Sequence, residues 1–283
     1  LPLFQTAFDD SSTDPEHVIT IDRISTALAF FQRSMWFVDN PWFEYLAGNS
    51  EALSDEAKRG AMLFFSKPSN GGYSCNGCHS GSAFTDEQFH NIAMPQIGRG
   101  KDTDGNDHGR LLHTFNVHDK YAFRTPILLN IDVTGPYGHS GAFYSLADVI
   151  KHHMAPEASV VEFDYSLSHL PQFAGVKVNQ ERNKTLSYRV LKQFIDNKDS
   201  SKLQTGLVEE KDVNALVAFL KSLTDPCVNS SDCLKSWSPV SSKQEQTFNL
   251  LRPEFSASQI NSVRNLNLAQ EPENSASDEQ VRA

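Results

Sequence analysis

No run of 18 apolar residues occurs anywhere in the 283-residue sequence, so no segment has the length and hydrophobicity of a membrane-spanning helix. Cations are scarce. Lys and Arg number 25 against 35 Asp and Glu, a formal charge of -10, and no basic stripe runs along the chain. This excludes nucleic acid as an expected partner and favours basic proteins by charge complementarity. The first residues, LPLFQTAFDD, show neither a basic n-region nor a long apolar h-region, so no signal peptide is visible and the chain is expected to have been processed or cut. No internal repeat is apparent. Cysteine and methionine are few, at four each. What is abundant is apolar and aromatic matter: 39% hydrophobic residues with 19 Phe, enough for a sizeable core over the first 225 or so residues.

Two of the four cysteines lie in GGYSCNGCHSG, residues 71–81, where His79 directly follows Cys78 and Cys75 stands three residues earlier. Two thiols at this spacing can join the two vinyl groups of a haem, and the adjacent imidazole can reach the iron from the same turn. A thioredoxin-type Cys-x-x-Cys would open a helix after a buried strand, whereas SKPSNGGY is a polar glycine loop. A zinc knuckle would need two further ligands at short spacing, and Cys227 and Cys233 lie about 150 residues away. The trailing histidine decides for covalent c-type haem. Cys227 and Cys233, in DPCVNSSDCLKSW, flank a short polar loop that a disulfide could close. Disulfide and covalent haem both point to the periplasm.

Helical spacing marks the organisation. DPEHVITIDRISTALAFFQR, residues 14–33, begins with Asp14 and Pro15 as N-cap and first helical residue and spaces Ile21, Ile24, Leu28 and Phe31 on one face. ALSDEAKRGAMLFF carries Ser54 as a cap and Ala57, Ala61, Phe64 and Phe65 as a buried stripe, and delivers the chain to the haem loop. Residues 80–144, rich in Gly, Asp, Asn, His and Pro, read as long irregular loops packed over a cofactor. Further helices are expected at 145–154, 185–196 and 209–223, and the Ser-, Gln- and Glu-rich stretch after Trp237 as an extended tail with a short apolar patch at FNLLRPEF. The fold class is mainly α: a cytochrome c-like helical haem domain with long irregular loops over residues 1–226, followed at 227–283 by a disulfide loop and a polar tail.

The second axial position decides between electron transfer and chemistry on a bound oxidant. On the helix 145–154, Leu146, Val149, Ile150 and His153 share a face, which directs His153 inward; His152 and Met154 are its neighbours about 100° to either side. A histidine on an apolar face is also the usual mark of a hydrogen-bonded core residue. His90 and His139 lie in loops, and His108, His113 and His118 in a polar insert read as surface. The insert KDTDGNDHG starts like a calcium loop with Asp102, Asp104 and Asn106, but His113 stands where the closing Glu belongs, so it reads as a solvated turn.

In chain order, RISTALAFFQRS, NPWFEYLAGN, LSDEAKRGAMLFF, CNGCHSGSAFTDEQFHN, FRTPILLNIDVTGPYGHSGAFYSLADVI and DVNALVAFLKSLTDP closely resemble the C-terminal half of the bacterial di-haem cytochrome c peroxidase family, which includes the MauG-type enzymes. The likeness covers about residues 3–226. It implies a two-lobed protein whose N-terminal lobe reacts with hydrogen peroxide while the C-terminal lobe receives electrons from a small cytochrome c or copper protein. This chain matches the second lobe, so the peroxidatic lobe is expected from a missing segment or a second subunit, and no catalytic residue can be named within the chain. The resemblance assigns Cys75 and Cys78 to the thioether bonds, His79 to the proximal position and His153 to the position of the family's distal ligand, commonly Met or Tyr. It also implies Arg124 near the haem propionates, where a loop-closing salt bridge is the alternative, and backbone carbonyls of Thr134 and Pro136 toward a calcium ion; a homodimer is compatible with it.

Three functions are thereby open: the electron-entry lobe of a hydrogen-peroxide-reducing oxidoreductase, a stand-alone electron-transfer cytochrome, and a MauG-like protein-modifying oxidase. For the last, Trp36 or Trp42 are candidate relay residues, with packing as the simpler account of both.

Overall fold

A computed structural model describes residues 1–103, 105–197, 203 and 208–237. Asp104 of the calcium-like insert and the tail beyond Trp237, with its apolar patch, lie outside the described residues. The architecture is mainly α, as expected, with one two-residue antiparallel ladder.

The first helices differ from the sequence expectation. Asp14 caps α2 (Pro15–Val18) with its carboxylate accepting from the Glu16 N–H, but the chain breaks there and restarts as α3 (Ile21–Ser34) under a Thr20 cap, after the short α1 (Pro2–Ala7). The apolar face of α3 is not buried: Ile21, Leu28 and Phe31 are exposed, and no residue of this helix is in the core. Amphipathic spacing identifies which face could be covered, not whether another element covers it. α3 is tied down by polar contacts instead, with Arg23 bonded to Asp10 at 2.7 Å and to the Val18 carbonyl at 3.1 Å.

The core forms around two helices distant in sequence. In α5 (Asp55–Phe65), Ser54 accepts the Ala57 N–H and Ala57, Gly60, Ala61, Leu63 and Phe64 are buried. Phe65, expected in the same stripe, stands at its edge and is exposed. α5 packs on α10 (Glu210–Lys221), which buries Val213, Ala215, Leu216, Phe219 and Leu220. The crossing is a backbone approach: a methyl added at Gly60 would lie 1.9 Å from the Ala215 carbonyl oxygen and 2.8 Å from Phe219 Cβ. Trp42, on α4 (Pro41–Leu46), closes the other side, its ring 5.1 Å from Phe219 and 5.6 Å from Phe65. Packing accounts for Trp42, whereas Trp36 is exposed.

A polar clasp sits at one end of this pair. Asp212 accepts from the Arg59 guanidinium and, at 2.8 Å, from the Tyr73 hydroxyl, while Arg59 also reaches the Lys211 carbonyl at 2.8 Å. Burial, then the Asp212 hydrogen bond, push the Tyr73 phenol up to about 12. Burial likewise pushes Tyr137 and Tyr165 up to about 12, their hydroxyls donating to the carbonyls of Ile131 and Val160.

The long loop region carries the ladder of β1 (Phe89–His90) and β2 (Phe123–Arg124), pairing Phe89 with Arg124 and His90 with Phe123, and the one-turn α6 (Leu111–Thr114) between them. Ser145 caps α7 (Leu146–Met154) as read from the sequence. α8 (Pro156–Glu162) follows at once, and α9 runs Gln180–Asp196, five residues earlier than expected because Asn179 accepts the Arg182 N–H and starts the helix there. Cys227 and Cys233 are joined in a disulfide, with 5.3 Å between their Cα atoms.

Two outcomes follow from this core. Gly60→Ala, which forces the α5–α10 backbones apart, should lower stability by more than about 2 kcal/mol, whereas Met62→Ala on the exposed face should stay within about 0.5 kcal/mol; thermal or denaturant unfolding followed by circular dichroism decides. The second concerns alkaline pH. Each raised phenol stays protonated in the fold while its unfolded counterpart ionises near 10, so the stabilisation is complete below pH 10 and is lost as pH rises from 10 toward 12. Phenolate absorbance should show Tyr73, Tyr137 and Tyr165 ionising together with the loss of helical signal; free titration of all seven tyrosines before unfolding would contradict it.

Candidate haem-binding site

The clasp determines where the cysteine loop lies. After α5 the chain doubles back on its own end: the Tyr73 N–H donates to the Leu63 carbonyl at 2.8 Å and the Ser74 N–H to that of Ser66 at 2.9 Å. Gly72 is required there, since a Cβ would sit 2.3 Å from the Ser66 carbonyl oxygen. Ser74, at φ 51, turns the backbone left-handed into a single 3₁₀ turn, Cys75–Gly77, and the His79 N–H closes onto the Cys75 carbonyl at 2.9 Å. Both thiols and the imidazole therefore come from consecutive backbone turns. Burial pushes the Cys75 thiol up to about 12, so the site holds it protonated.

Two histidines share one hydrogen-bond pattern. His79 Nδ1 faces the Phe84 carbonyl at 3.0 Å, and His153 Nδ1 faces the Val149 carbonyl at 2.7 Å. A carbonyl can only accept, so Nδ1 carries the proton in each ring and Nε2 carries the lone pair. Burial, then the neighbouring His153, lower His79 to about 4, and burial lowers His153 as well. Both are neutral imidazoles near one another with Nε2 available as donor, the arrangement in which a second partner fixes the tautomer of a metal-binding ring. The Phe84 carbonyl reaches His79 because Phe84 adopts φ 54, an uncommon conformation for a bulky residue that is itself buried.

The neighbours of His153 are placed differently. His152 is fully buried and uses both nitrogens, Nε2 toward the Ile92 carbonyl at 2.9 Å and Nδ1 toward Ser159 Oγ at 3.0 Å. Met154 is packed in the core. The donor set of Cys75, Cys78, His79 and His153 fits a c-type haem: two thiols for covalent attachment and two neutral imidazoles for the iron.

Of the remaining candidates, His90 borders the cysteine turn, and the others have partners of their own. Arg124 is half-exposed and pairs with Glu87 at 3.1 Å, and lines a surface cavity with Phe89, Arg110 and His113. Thr134 and Pro136 lie on an exposed turn, where the Thr134 hydroxyl donates to the Ile131 carbonyl. His139 stacks on Phe123 with ring centroids 3.5 Å apart, and His108 pairs with Asp102 at 2.6 Å within the polar insert. His90 is bonded to Asp86 at 2.7 Å, and their ligand-type atoms lie with that of Cys78 within 4.8 Å of one another. Sequence reasoning singled out neither Asp86 nor the Tyr73–Asp212 clasp; Asp86 and His90 are four residues apart in a loop, where that spacing has no fixed geometry.

No family model matches the chain. Among curated proteins it is 36% identical to methylamine utilization protein MauG of Methylophilus methylotrophus over 54% of this chain and 41% of that protein. It is 28% identical to MauG of Paracoccus denitrificans over 75% of this chain and 53% of that protein. Cytochrome c551 peroxidase of Pseudomonas aeruginosa is 25% identical over 59% of this chain and 50% of that protein. The chain thus spans about half the length of these relatives, or less. The fold is shared with the crystal structure of a MauG-like protein associated with microbial copper homeostasis, at a TM-score of 0.56 and 24% identity, covering 83% of this chain and 61% of that one. Sequence motifs, helical architecture and these likenesses agree: over the part it shares with them, the chain is similar to MauG proteins and bacterial cytochrome c peroxidases.

Proposed function

We propose that this chain is the electron-relaying haem lobe of a peroxidase-type oxidoreductase of the periplasm, taking electrons from a small redox protein and passing them toward a peroxide-reducing lobe. The observation that carries the reading is the pair of neutral, carbonyl-anchored imidazoles, His79 and His153. Cys75 and Cys78 would hold the haem covalently, and His79 and His153 would hold its iron through Nε2. The haem supplies one-electron chemistry at iron.

The chain's own residues do the rest. The Phe84 and Val149 carbonyls keep each imidazole proton on Nδ1, so the ligand nitrogen stays basic and oriented. An iron held by both His79 and His153 would be closed to oxidant, which suits relay rather than peroxide chemistry. The Tyr73–Asp212–Arg59 clasp fixes the attachment loop against α10.

Denatured holoprotein should retain one haem covalently, read as the pyridine haemochrome; complete extraction of the haem by acid acetone would end the reading. His153→Ala should convert the ferric spectrum from low to high spin, and exogenous imidazole should restore it. His152→Ala should keep the low-spin spectrum while lowering stability by roughly 2–3 kcal/mol through its two lost buried hydrogen bonds. A high-spin spectrum for the His152 or Met154 variant with none for His153 would move the ligand by one residue.

A further inference from the structure

In a chain of formal charge -10, cations and aromatic rings converge at one place outside the haem donor set. The loop between the two ladder strands folds back on β2: the Arg110 N–H donates to the Ala122 carbonyl at 3.0 Å and the Tyr121 N–H to the His108 carbonyl at 3.0 Å. These bonds hold Arg110 and α6 against the ladder. Beside it lies a cavity of about 390 Å³ whose wall includes Phe89, Lys101, Arg110, His113, Phe123 and Arg124. The size is that of a small-ligand pocket. None of Cys75, Cys78, His79 and His153 lines it.

The wall is apolar inside and cationic outside. Ala122 is buried and Phe123 half-buried, whereas the side chains of Lys101 and Arg124 are 66% and 51% exposed. The Arg110 guanidinium lies over the Phe89 ring, 4.1 Å from its centroid. A stacked guanidinium is held in place yet keeps its N–H groups in its own plane, free to hydrogen-bond past the ring edge.

Acidic neighbours do not use these donors up. Lys101 meets Asp107 at 3.6 Å and Arg110 meets Asp119 through Nε at 3.5 Å, both beyond the usual hydrogen-bond length, and Arg124 engages Glu87 through one terminal nitrogen at 3.1 Å. Asp107, Asp119 and Glu87 are not on the cavity wall. Exposed pairs of this kind add little stability, so tying down the loop does not account for them. The terminal nitrogens of Arg110 match the two oxygens of a carboxylate. Inorganic phosphate would satisfy the cations but leave the phenyl rings against water; an apolar body on the anion covers them.

We propose that this cavity binds a small organic carboxylate with an apolar, ring-sized body, the carboxylate held by Arg110 and Lys101 and the body packed on Phe89 and Phe123. The inference is independent of the relay function proposed above.

The test uses the holoprotein and three probes in calorimetric titrations at low ionic strength: indole-3-acetate, its neutral amide indole-3-acetamide, and inorganic phosphate. Indole-3-acetate should bind at one site per chain, with the amide and phosphate each at least about tenfold weaker. Arg110→Gln should weaken indole-3-acetate at least about tenfold and Lys101→Gln at least about threefold. Lys192→Ala, which removes an exposed cation of α9 paired with Asp196, should leave binding unchanged. The variants should keep the parent's helical circular dichroism; if Arg110→Gln does not, because its stacking on Phe89 is lost, Lys101→Gln decides. No binding of indole-3-acetate by the holoprotein, equal binding by the parent and the Lys101 and Arg110 variants, or a loss with Lys192→Ala as large as with Arg110→Gln overturns the site. Equal affinity for the amide or for phosphate overturns the ligand class.

Discussion

The close approach of α5 and α10 at Gly60 and Ala215 is the constraint on which the other features depend. With no side chain on Gly60, the two backbones meet, and the side chains flanking the contact, Phe64, Phe219 and Trp42, interlock in an aromatic cluster beside it. A backbone contact of this kind has little tolerance, because any added atom must push a carbonyl rather than a rotatable side chain. It brings Arg59 of α5 opposite Asp212 of α10. Asp212 then has a second lone pair to offer Tyr73, two residues before the first cysteine of the haem motif. The attachment loop is thus positioned by helix packing at a distance, through one carboxylate.

From there the geometry is local. Ser74 and Phe84, at positive φ, bracket the motif and aim its groups: the first starts the tight turn that presents Cys75, and the second turns a carbonyl toward His79. His153 arrives from α7, which is held by the burial of Leu146 and Ile150 and started by the Ser145 cap. The two histidines then share the same Nδ1 anchoring, while His152, one residue away, spends both nitrogens in the core. Adjacent histidines on one helix have thereby different tasks, one structural and one presenting a lone pair, set by which partner each ring meets.

How much of this was legible in the sequence depends on how local the cause is. Cys75, Cys78 and His79 are neighbours, so spacing sufficed, whereas periodicity pointed His153 inward and the structure leaves it half-buried while burying His152 and Met154 beside it. The caps at Asp14, Ser54 and Ser145 were equally local. The apolar face of α3 was legible as a face, but its exposure depends on elements that the pattern of one helix does not encode. Phe65 failed for the same reason, standing at the border of the stripe rather than within it. The clasp between Tyr73 and Asp212 joins residues 139 apart in sequence, and the Phe84 carbonyl owes its direction to a left-handed backbone at a residue type that gives no sign of it. Arg124 was placed by resemblance near the cofactor, with a salt bridge as the alternative, and the salt bridge to Glu87 is the contact found.

The central claim is that two neutral imidazoles from α7 and the Cys75–His79 turn face one metal position. Electron paramagnetic resonance of the ferric holoprotein, read together with its near-infrared charge-transfer band, tests it most directly. The account predicts a six-coordinate low-spin signal with the ligand-field pattern of two histidines; a high-spin signal, or the charge-transfer band of methionine sulfur on ferric haem, would contradict it.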